Sequence, residues 1–202
     1  MSEKKILLNM SNNPFALFKK WLEEASQKEI NDPNAMNLST LSKDFKLSSR
    51  MVLLKGYDSR GFVFYTNINS KKGNSIKINP YVALNFHWKS LLKQVRIEGK
   101  AVQVSDKEAN KYFSTRHRDS QIGAWASNQS SELEDREILK KNILNYNKKF
   151  KDKKIKRPFN WIGFRVEPNL IEFWQDMPFR LHDRLEYKKN NDNEWLAKKL
   201  YP

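Results

Sequence analysis

The chain has 202 residues, no cysteine and a formal charge of +15, with a pI near 9.8. This length suits one domain of substantial size, and the absence of cysteine excludes a disulfide framework, thiolate metal sites and a cysteine nucleophile. The charge calls for an anionic partner, whether nucleic acid, an anionic surface or phosphorylated small molecules.

Lysines are spread along the chain rather than gathered in a tail, so no nucleic-acid partner is expected. Ile6-Leu7-Leu8 is a short apolar run, well under the roughly 7–15 residues of a secretory signal. No stretch approaches the roughly 20 apolar residues of a membrane span. The expectation is a cytoplasmic protein with no membrane partner. Residues 1–13 read as a flexible segment and 14–202 as a single domain.

In chain order, residues 14–30 place Phe15, Phe18, Leu22, Ala25 and Ile30 near helical spacing, behind a proline suited to a helix start. Residues 35–41 and 50–57 read as strands, and Asp58-Ser59-Arg60-Gly61 as a turn that pairs the latter with 62–66 in a hairpin. Residues 70–78 read as a short basic helix, and 81–88 and 92–104 as two further strands. Ser105-Asp106-Lys107-Glu108 matches a capping box opening a helix through Phe113. Residues 119–127 and 132–150 are helical candidates, and 161–174 and 179–187 return to strand character, with Met177-Pro178 at the turn between them. The expected class is α+β, mainly β, and the pattern suits a small barrel and an open sheet alike.

Four constellations carry chemistry. Arg180, His182 and Arg184 stand at i, i+2 and i+4, so on a strand they share one face. Two guanidiniums around an imidazole, with Trp174 upstream, favour a flat anionic ligand; a solvated basic strand face is the alternative. Arg50 and Lys55 bracket an apolar strand and, five residues apart, point to opposite faces. Tyr65-Thr66-Asn67 followed by Ser70-Lys71-Lys72 is a strand end running into a helix N-terminus, a setting that favours a phosphate. Tyr112, Arg116 and Ser120 recur at four-residue steps, so on one helix they share a face. Gln129 and Ser130 follow as uncharged hydrogen-bonding groups. His87, His117 and His182 form no close-spaced metal cluster, and no dinucleotide fingerprint, P-loop or nucleophile elbow is present.

In this order and spacing the four resemble the pyridoxamine 5′-phosphate oxidase family, across nearly the whole chain. The most specific run is IEFWQ at 171–175 followed by Arg180-Leu181-His182-Asp183-Arg184. RDSQIGAWAS at 118–127 with Gln129-Ser130-Ser131 is nearly as diagnostic, and RMVLLK at 50–55 and FYTN at 64–67 add support. The resemblance implies an FMN-binding split β-barrel with flanking helices, a homodimer holding FMN at the subunit interface.

Carried over by position, Arg50, Met51, Lys55, Tyr65, Thr66, Lys71, Lys72, Gln94, Gln129, Ser130, Trp174 and Arg184 would line the FMN. Lys55, Tyr112, Arg116 and Ser120 would hold the substrate phosphate, with the catalytic pair Arg180 and His182 beside the pyridine ring and Asp32 near the substrate. The implied reaction oxidises pyridoxamine or pyridoxine 5′-phosphate to pyridoxal 5′-phosphate with O₂ as acceptor. A related split-barrel flavoprotein with another substrate, or a non-catalytic FMN or pyridoxal phosphate binder, is the alternative. Three features depart from the family pattern: Lys71 stands where arginine is common, 42–49 lacks the usual glycine and proline, and 1–13 has no Arg/Tyr pair to lid the substrate.

Overall fold

The computed structural model describes Leu8 and residues 13–202. The expectation of a flexible segment over 1–13 therefore falls, apart from Leu8 and Asn13, outside the described residues. Helix α1 (Pro14–Lys28) begins where the sequence places it: Pro14 occupies its first turn and the Asn13 side chain accepts the Phe15 N–H at 3.0 Å. Its apolar stripe, Phe18, Trp21 and Ala25, is buried. Phe18 meets Phe62 and Phe86 edge-on at 4.9 and 5.2 Å, and Trp21 meets Phe173 at 5.2 Å. The helix thus plugs the sheet's aromatic core.

That sheet has nine antiparallel strands: β1 (Ala35–Leu41), β2 (Leu47–Leu53), β3 (Gly56–Asp58), β4 (Gly61–Asn67), β5 (Tyr81–Trp88), β6 (Lys93–Gln103), β7 (Trp161–Gln175), β8 (Asp183–Lys189) and β9 (Trp195–Leu200). Their order is β2-β1-β5-β6-β7-β4-β3, with β8 added to β7 and β9 to β8. Strands β2 and β3 end that path at opposite edges, yet only Leu54 and Lys55 separate them in the chain. Leu53 to Gly56 can span at most roughly 10 Å, so the sheet must curl until its two edges meet. This decides for a barrel over an open sheet. Strand β7 makes the curl possible by pairing with β4 through its first half and with β8 through its second, with β6 on its other side. A register shift between Glu98 and Gly99 bends the β6–β7 pair at the changeover.

Four helices fill the connections: α2 (Lys71–Ile78), α3 (Asp106–Thr115), α4 (Arg118–Ala126) and α5 (Arg136–Lys149). Only half of the expected capping box forms. Ser105 accepts the Glu108 N–H, but the Glu108 carboxylate turns away to Arg165 at 2.9 Å. The α+β, mainly β class holds. No helix among the described residues is long and apolar enough to cross a membrane.

Two strand expectations need correction. Residues 50–57 are not one strand: β2 pairs with β1 as far as Leu53, after which Leu54 N–H bonds Asn34 O and Lys55 N–H bonds Val63 O, both at 2.8 Å. The chain changes partner from one edge of the barrel to the other within that dipeptide. Residues 179–182 are not strand either. They follow a short 3-10 turn, Pro178–Arg180, in which Phe179 and Arg180 both have φ near +60° (60° and 61°), and β8 starts only at Asp183.

Candidate functional site

The expected site residues fall into two groups. The first collects where β2, β4, the start of α2 and the α3–α4 corner meet. A cavity of about 370 Å³ is lined there by Arg50, Met51, Lys55, Tyr65, Thr66, Lys72, Tyr112, Arg116, Gln129 and Trp161, among others. A neighbouring hollow of about 360 Å³ shares Tyr65, Thr66, Arg116, Gln129 and Trp161 and adds Ser120. Among the described residues, these linings contain the cations Arg50, Lys55, Lys72 and Arg116 and no carboxylate. Such a one-signed concavity attracts anions.

Local chemistry fixes each cation. Arg50 lies along β2 with Nη1 donating to Leu38 O (3.1 Å) and Thr40 Oγ1 (2.9 Å), and Nη2 to Ser48 Oγ (2.7 Å). All these acceptors are neutral, so its charge is uncompensated, and burial pulls its pKa below the ordinary arginine range. Lys72 is buried in the first turn of α2, its Nζ 3.3 Å from both Thr66 Oγ1 and Ser70 Oγ. Burial lowers its pKa, and the charge of Arg50 lowers it further. Two cations that face each other without an anion fit a phosphate group. Thr66 Oγ1 and Asn67 N–H both donate to Gln129 Oε1, at 3.1 and 3.3 Å, tying the 127–135 loop to β4. Lys71 is exposed at the first position of α2, and Ser130 sits exposed beside Gln129 with φ +71°.

Arg116 carries the clearest sign of a missing acceptor. Its guanidinium lies 4.8 Å from the centre of the Trp161 ring, and its Nη1 is buried with no hydrogen-bond partner. Buried donors are nearly always satisfied, so an anionic ligand suits this position. Burial lowers the pKa of Arg116, and Tyr112 opposes that shift. Beside it, Tyr65 stacks on Tyr112 at 4.3 Å and on Trp161 at 4.9 Å. Gly163, opposite Tyr65 in the β4–β7 pair, permits this: a Cβ there would lie 2.6 Å from the Tyr65 ring. Burial, then the charge of Glu108, push the Tyr65 phenol up to about 12, and burial raises Tyr112 as well. Both remain hydroxyl donors at neutral pH.

The second group lies on the outward face of β6, β7 and β8. Gln94, Trp174 and Arg184 are register partners in one row across the three strands. The Arg184 Nε donates to Glu172 Oε1 at 2.9 Å and its Nη1 to Tyr201 O at 2.8 Å. His182 packs on Trp174 with ring centres 4.6 Å apart. Its Nδ1 lies 3.3 Å from the Met177 N–H and 3.3 Å from Asp176 Oδ1, so Nδ1 has a partner whether or not it carries a proton, and Nε2 is left for a ligand. Arg180 is exposed on the turn just before it. None of these five lines the cavity of the first group.

Three sequence expectations about side-chain direction are corrected here. Arg50 and Lys55 do not point to opposite faces of a strand; the break at Leu54-Lys55 lets both line one cavity. Tyr112, Arg116 and Ser120 do not share a helix face, because α3 ends at Thr115, Arg116 is its extended C-cap, and α4 starts at Arg118. The corner brings them together nonetheless, Tyr112 and Arg116 in one hollow and Arg116 and Ser120 in the next. Arg180, His182 and Arg184 do not form one strand face, since only Arg184 lies in β8. Asp32 sits exposed at φ +33° in the turn before β1, outside both linings. Trp161 was missed as a site residue; its signal is Gly163 two positions on, a small residue where an aromatic wall must lie flat across the strands.

The family model described as pyridoxamine 5′-phosphate oxidase matches residues 22–150, and that described as pyridoxine 5′-phosphate oxidase C-terminal dimerisation region matches residues 161–202. The pyridoxine/pyridoxamine 5′-phosphate oxidase of Caulobacter vibrioides is 54% identical over 94% of this chain and 85% of its own length. That of Gluconobacter oxydans is 50% identical over 97% and 98%. Among solved structures, PhzG from Burkholderia lata, in complex with tetrahydrophenazine-1-carboxylic acid, superposes with a TM-score of 0.91 at 31% identity, covering 96% of this chain and 95% of that one. An FMN-binding, pyridoxamine 5′-phosphate oxidase-related protein from Nostoc punctiforme, 13% identical with a TM-score of 0.77 over 96% of this chain and all of that one, shares the fold. With all nine strands and every helix but the start of α1 inside the matched regions, the chain belongs to the pyridoxamine 5′-phosphate oxidase family.

Proposed function

We propose that this chain catalyses the FMN-dependent oxidation of pyridoxamine 5′-phosphate and pyridoxine 5′-phosphate to pyridoxal 5′-phosphate by O₂. H₂O₂ is released, with NH₃ from the amine, and the reaction serves pyridoxal phosphate biosynthesis and salvage. The observation that carries this reading is the acid-free cavity with two separate cationic sets, Arg50 with Lys72 and Arg116 with Lys55. Cofactor and substrate bring one phosphate each. The cofactor is FMN, and the protein is a homodimer joined through its C-terminal region.

Roles follow the two groups. Arg50, Lys71 and Lys72 hold the FMN phosphate, with Thr66, Gln129 and Ser130 as neutral donors and acceptors; Met51, Lys55 and Tyr65 complete that wall. Arg116, Tyr112, Ser120 and Lys55 hold the substrate phosphate. Gln94, Trp174 and Arg184 meet the cofactor from the other group, and Arg180 and His182 flank the pyridine ring, with Asp32 near the substrate. FMN, when bound, supplies the two-electron acceptor and passes the electrons to O₂. The protein's share is orientation: phosphates anchored at fixed cations place the substrate carbon over the flavin, and Nε2 of His182 can hold or take a proton at the substrate edge.

Because the two groups line no common cavity within one chain, each site draws one group from each subunit of the dimer. Phosphorylated substrates do not cross membranes unaided, which supports a cytoplasmic setting. We take residues 14–202 as a single domain, since β7 of the second matched region pairs with β4 and β6 of the first, and residues 1–13 as a separate segment. The relatives at 50–54% identity favour B6 phosphates as substrates over the tricyclic acid held by the 31% identical neighbour. Peroxide release on adding pyridoxine 5′-phosphate to the FMN-loaded protein tests the proposal; a yellow dimer that releases none contradicts it and leaves a flavoprotein with another substrate or a non-catalytic binder.

A further inference from the structure

Glu172 sits in the second half of β7 on the outward face of the sheet, yet it is only 3% exposed. Its Oε1 accepts from Arg184 Nε at 2.9 Å and its Oε2 lies 3.5 Å from Arg96 Nη1. In register it stands between Arg96 on β6 and Glu186 on β8, and Glu186 in turn pairs with Lys198 at 3.0 Å. Arg96 and Glu172 thus form the row directly beside Gln94, Trp174 and Arg184, two residues along each strand and on the same face.

A buried carboxylate is a poor device for stability, because an apolar residue of similar size usually serves as well or better. What it does supply is direction. With Nε held by Glu172 and Nη1 by the Tyr201 carbonyl, the planar fork of Arg184 has one orientation, and Nη2 is its remaining corner. The same carboxylate offsets the charge of Arg184, and Glu186 adds to the negative field around it. An arginine whose charge is partly offset in this way attracts a phosphate less than an uncompensated one and is well suited to present a fixed donor to the uncharged ring of a flavin. The phosphate belongs instead with Arg50 and Lys72, which have no such carboxylate beside them.

We propose that Glu172 is a positioning residue for FMN, presetting the Arg184 guanidinium beside Trp174 so that its free corner meets the flavin ring system rather than the phosphate. The inference rests on the reading that Arg184 contacts FMN. If it is right, Glu172 acts only through Arg184.

A double-mutant cycle on FMN affinity separates the possibilities. Apoprotein of the wild type, Glu172→Gln, Arg184→Ala and the double variant is titrated with FMN, following the quenching of flavin fluorescence, after sedimentation confirms dimers. Glu172→Gln should weaken FMN about tenfold, in the range of one lost charge-assisted contact. In the Arg184→Ala background the same change should add less than about twofold. Where Glu172→Gln does not yield a dimer, Glu172→Asp, which keeps the charge but falls one methylene short, should give the same pattern. An undiminished tenfold effect without Arg184 shows a merely structural role and overturns the proposal. So does unchanged affinity in Glu172→Gln while Arg184→Ala weakens binding. Unchanged affinity in Arg184→Ala itself refutes the underlying assignment of Arg184.

Discussion

Trp161 and Trp174 stand at opposite ends of the same 15-residue strand, β7, Trp161 in the cavity lining and Trp174 in the row with Gln94 and Arg184. Thirteen residues of strand correspond to roughly 40 Å of contour. One continuous element therefore carries both halves while keeping them apart. The proposed dimer has two equivalent sites, each using the Trp161 end of one chain and the Trp174 end of the other.

Arg116 should govern substrate affinity and leave the cofactor in place. Its buried, unpartnered Nη1 beside Tyr112 is assigned to the substrate phosphate. Losing a hydrogen bond to a charged group costs about 1.5–3 kcal/mol, or roughly ten- to a hundredfold. Arg116→Gln should raise KM for pyridoxine 5′-phosphate by that factor in steady-state peroxide assays, with the flavin absorbance unchanged. Loss of the yellow colour with KM unaltered would move Arg116 to the cofactor.

Lys72 should make FMN binding weaken in alkali. Its pKa lies below the ordinary 10.5 through burial and the nearby Arg50 charge, so the folded apoprotein binds this proton less tightly than the unfolded chain does. The penalty is present in full below the folded pKa and is relieved as pH rises from there towards 10.5. A bound phosphate reverses the preference and favours the charged lysine. FMN affinity should therefore fall as pH rises through the Lys72 value, and Lys72→Met should be weak throughout and lack that fall. Titrations from neutral pH to 10.5 check this; an alkaline fall persisting unchanged in Lys72→Met would contradict it.

Arg180 and Arg184 should separate by function even though they are four residues apart. Arg180 lies exposed on the turn, whereas Arg184 is fixed in β8 by Glu172. Arg180→Ala should keep the protein yellow and cut turnover by roughly ten- to a hundredfold. Arg184→Ala should weaken FMN retention, with activity partly restored by excess FMN. Equilibrium dialysis against FMN alongside peroxide assays distinguishes the two; a colourless Arg180→Ala protein would reverse the assignment.

What the sequence discloses and what it conceals have different physical origins. The apolar spacing of Phe18, Leu22 and Ala25 and the alternation of Val95 and Ile97 reflect burial on one face, which any fold must satisfy, and both elements appear as read. The partner change at Leu54-Lys55 is a tertiary event at the end of the apolar run 51–54, marked locally only by Gly56. The corner at Arg116 is unmarked, because TRHRD contains no helix breaker. Positive φ at Phe179 and Arg180 falls on residues that rarely adopt it, so local propensity points to strand. Strand β9, WLAKKL, went unread because its lysines resemble the solvated lysines elsewhere in the chain. Residue types at the site were legible throughout. Their directions were not, since each depended on where a strand or helix breaks, and the local sequence does not fix that position.

The account turns on one site being shared by two chains, and subunit complementation tests that directly. Arg116→Ala disables the half-site at the Trp161 end and Arg180→Ala the half-site at the Trp174 end. Each variant alone is a dimer with two crippled sites. Mixed in equal amounts after partial denaturation and refolded with FMN, random reassortment makes half of the dimers mixed, and each mixed dimer has one site with both residues intact. Peroxide release with pyridoxine 5′-phosphate should then rise to about a quarter of the wild-type rate. If mixing restores no activity while different affinity tags on the two variants show that mixed dimers have formed, both groups act within a single chain and the shared site is wrong.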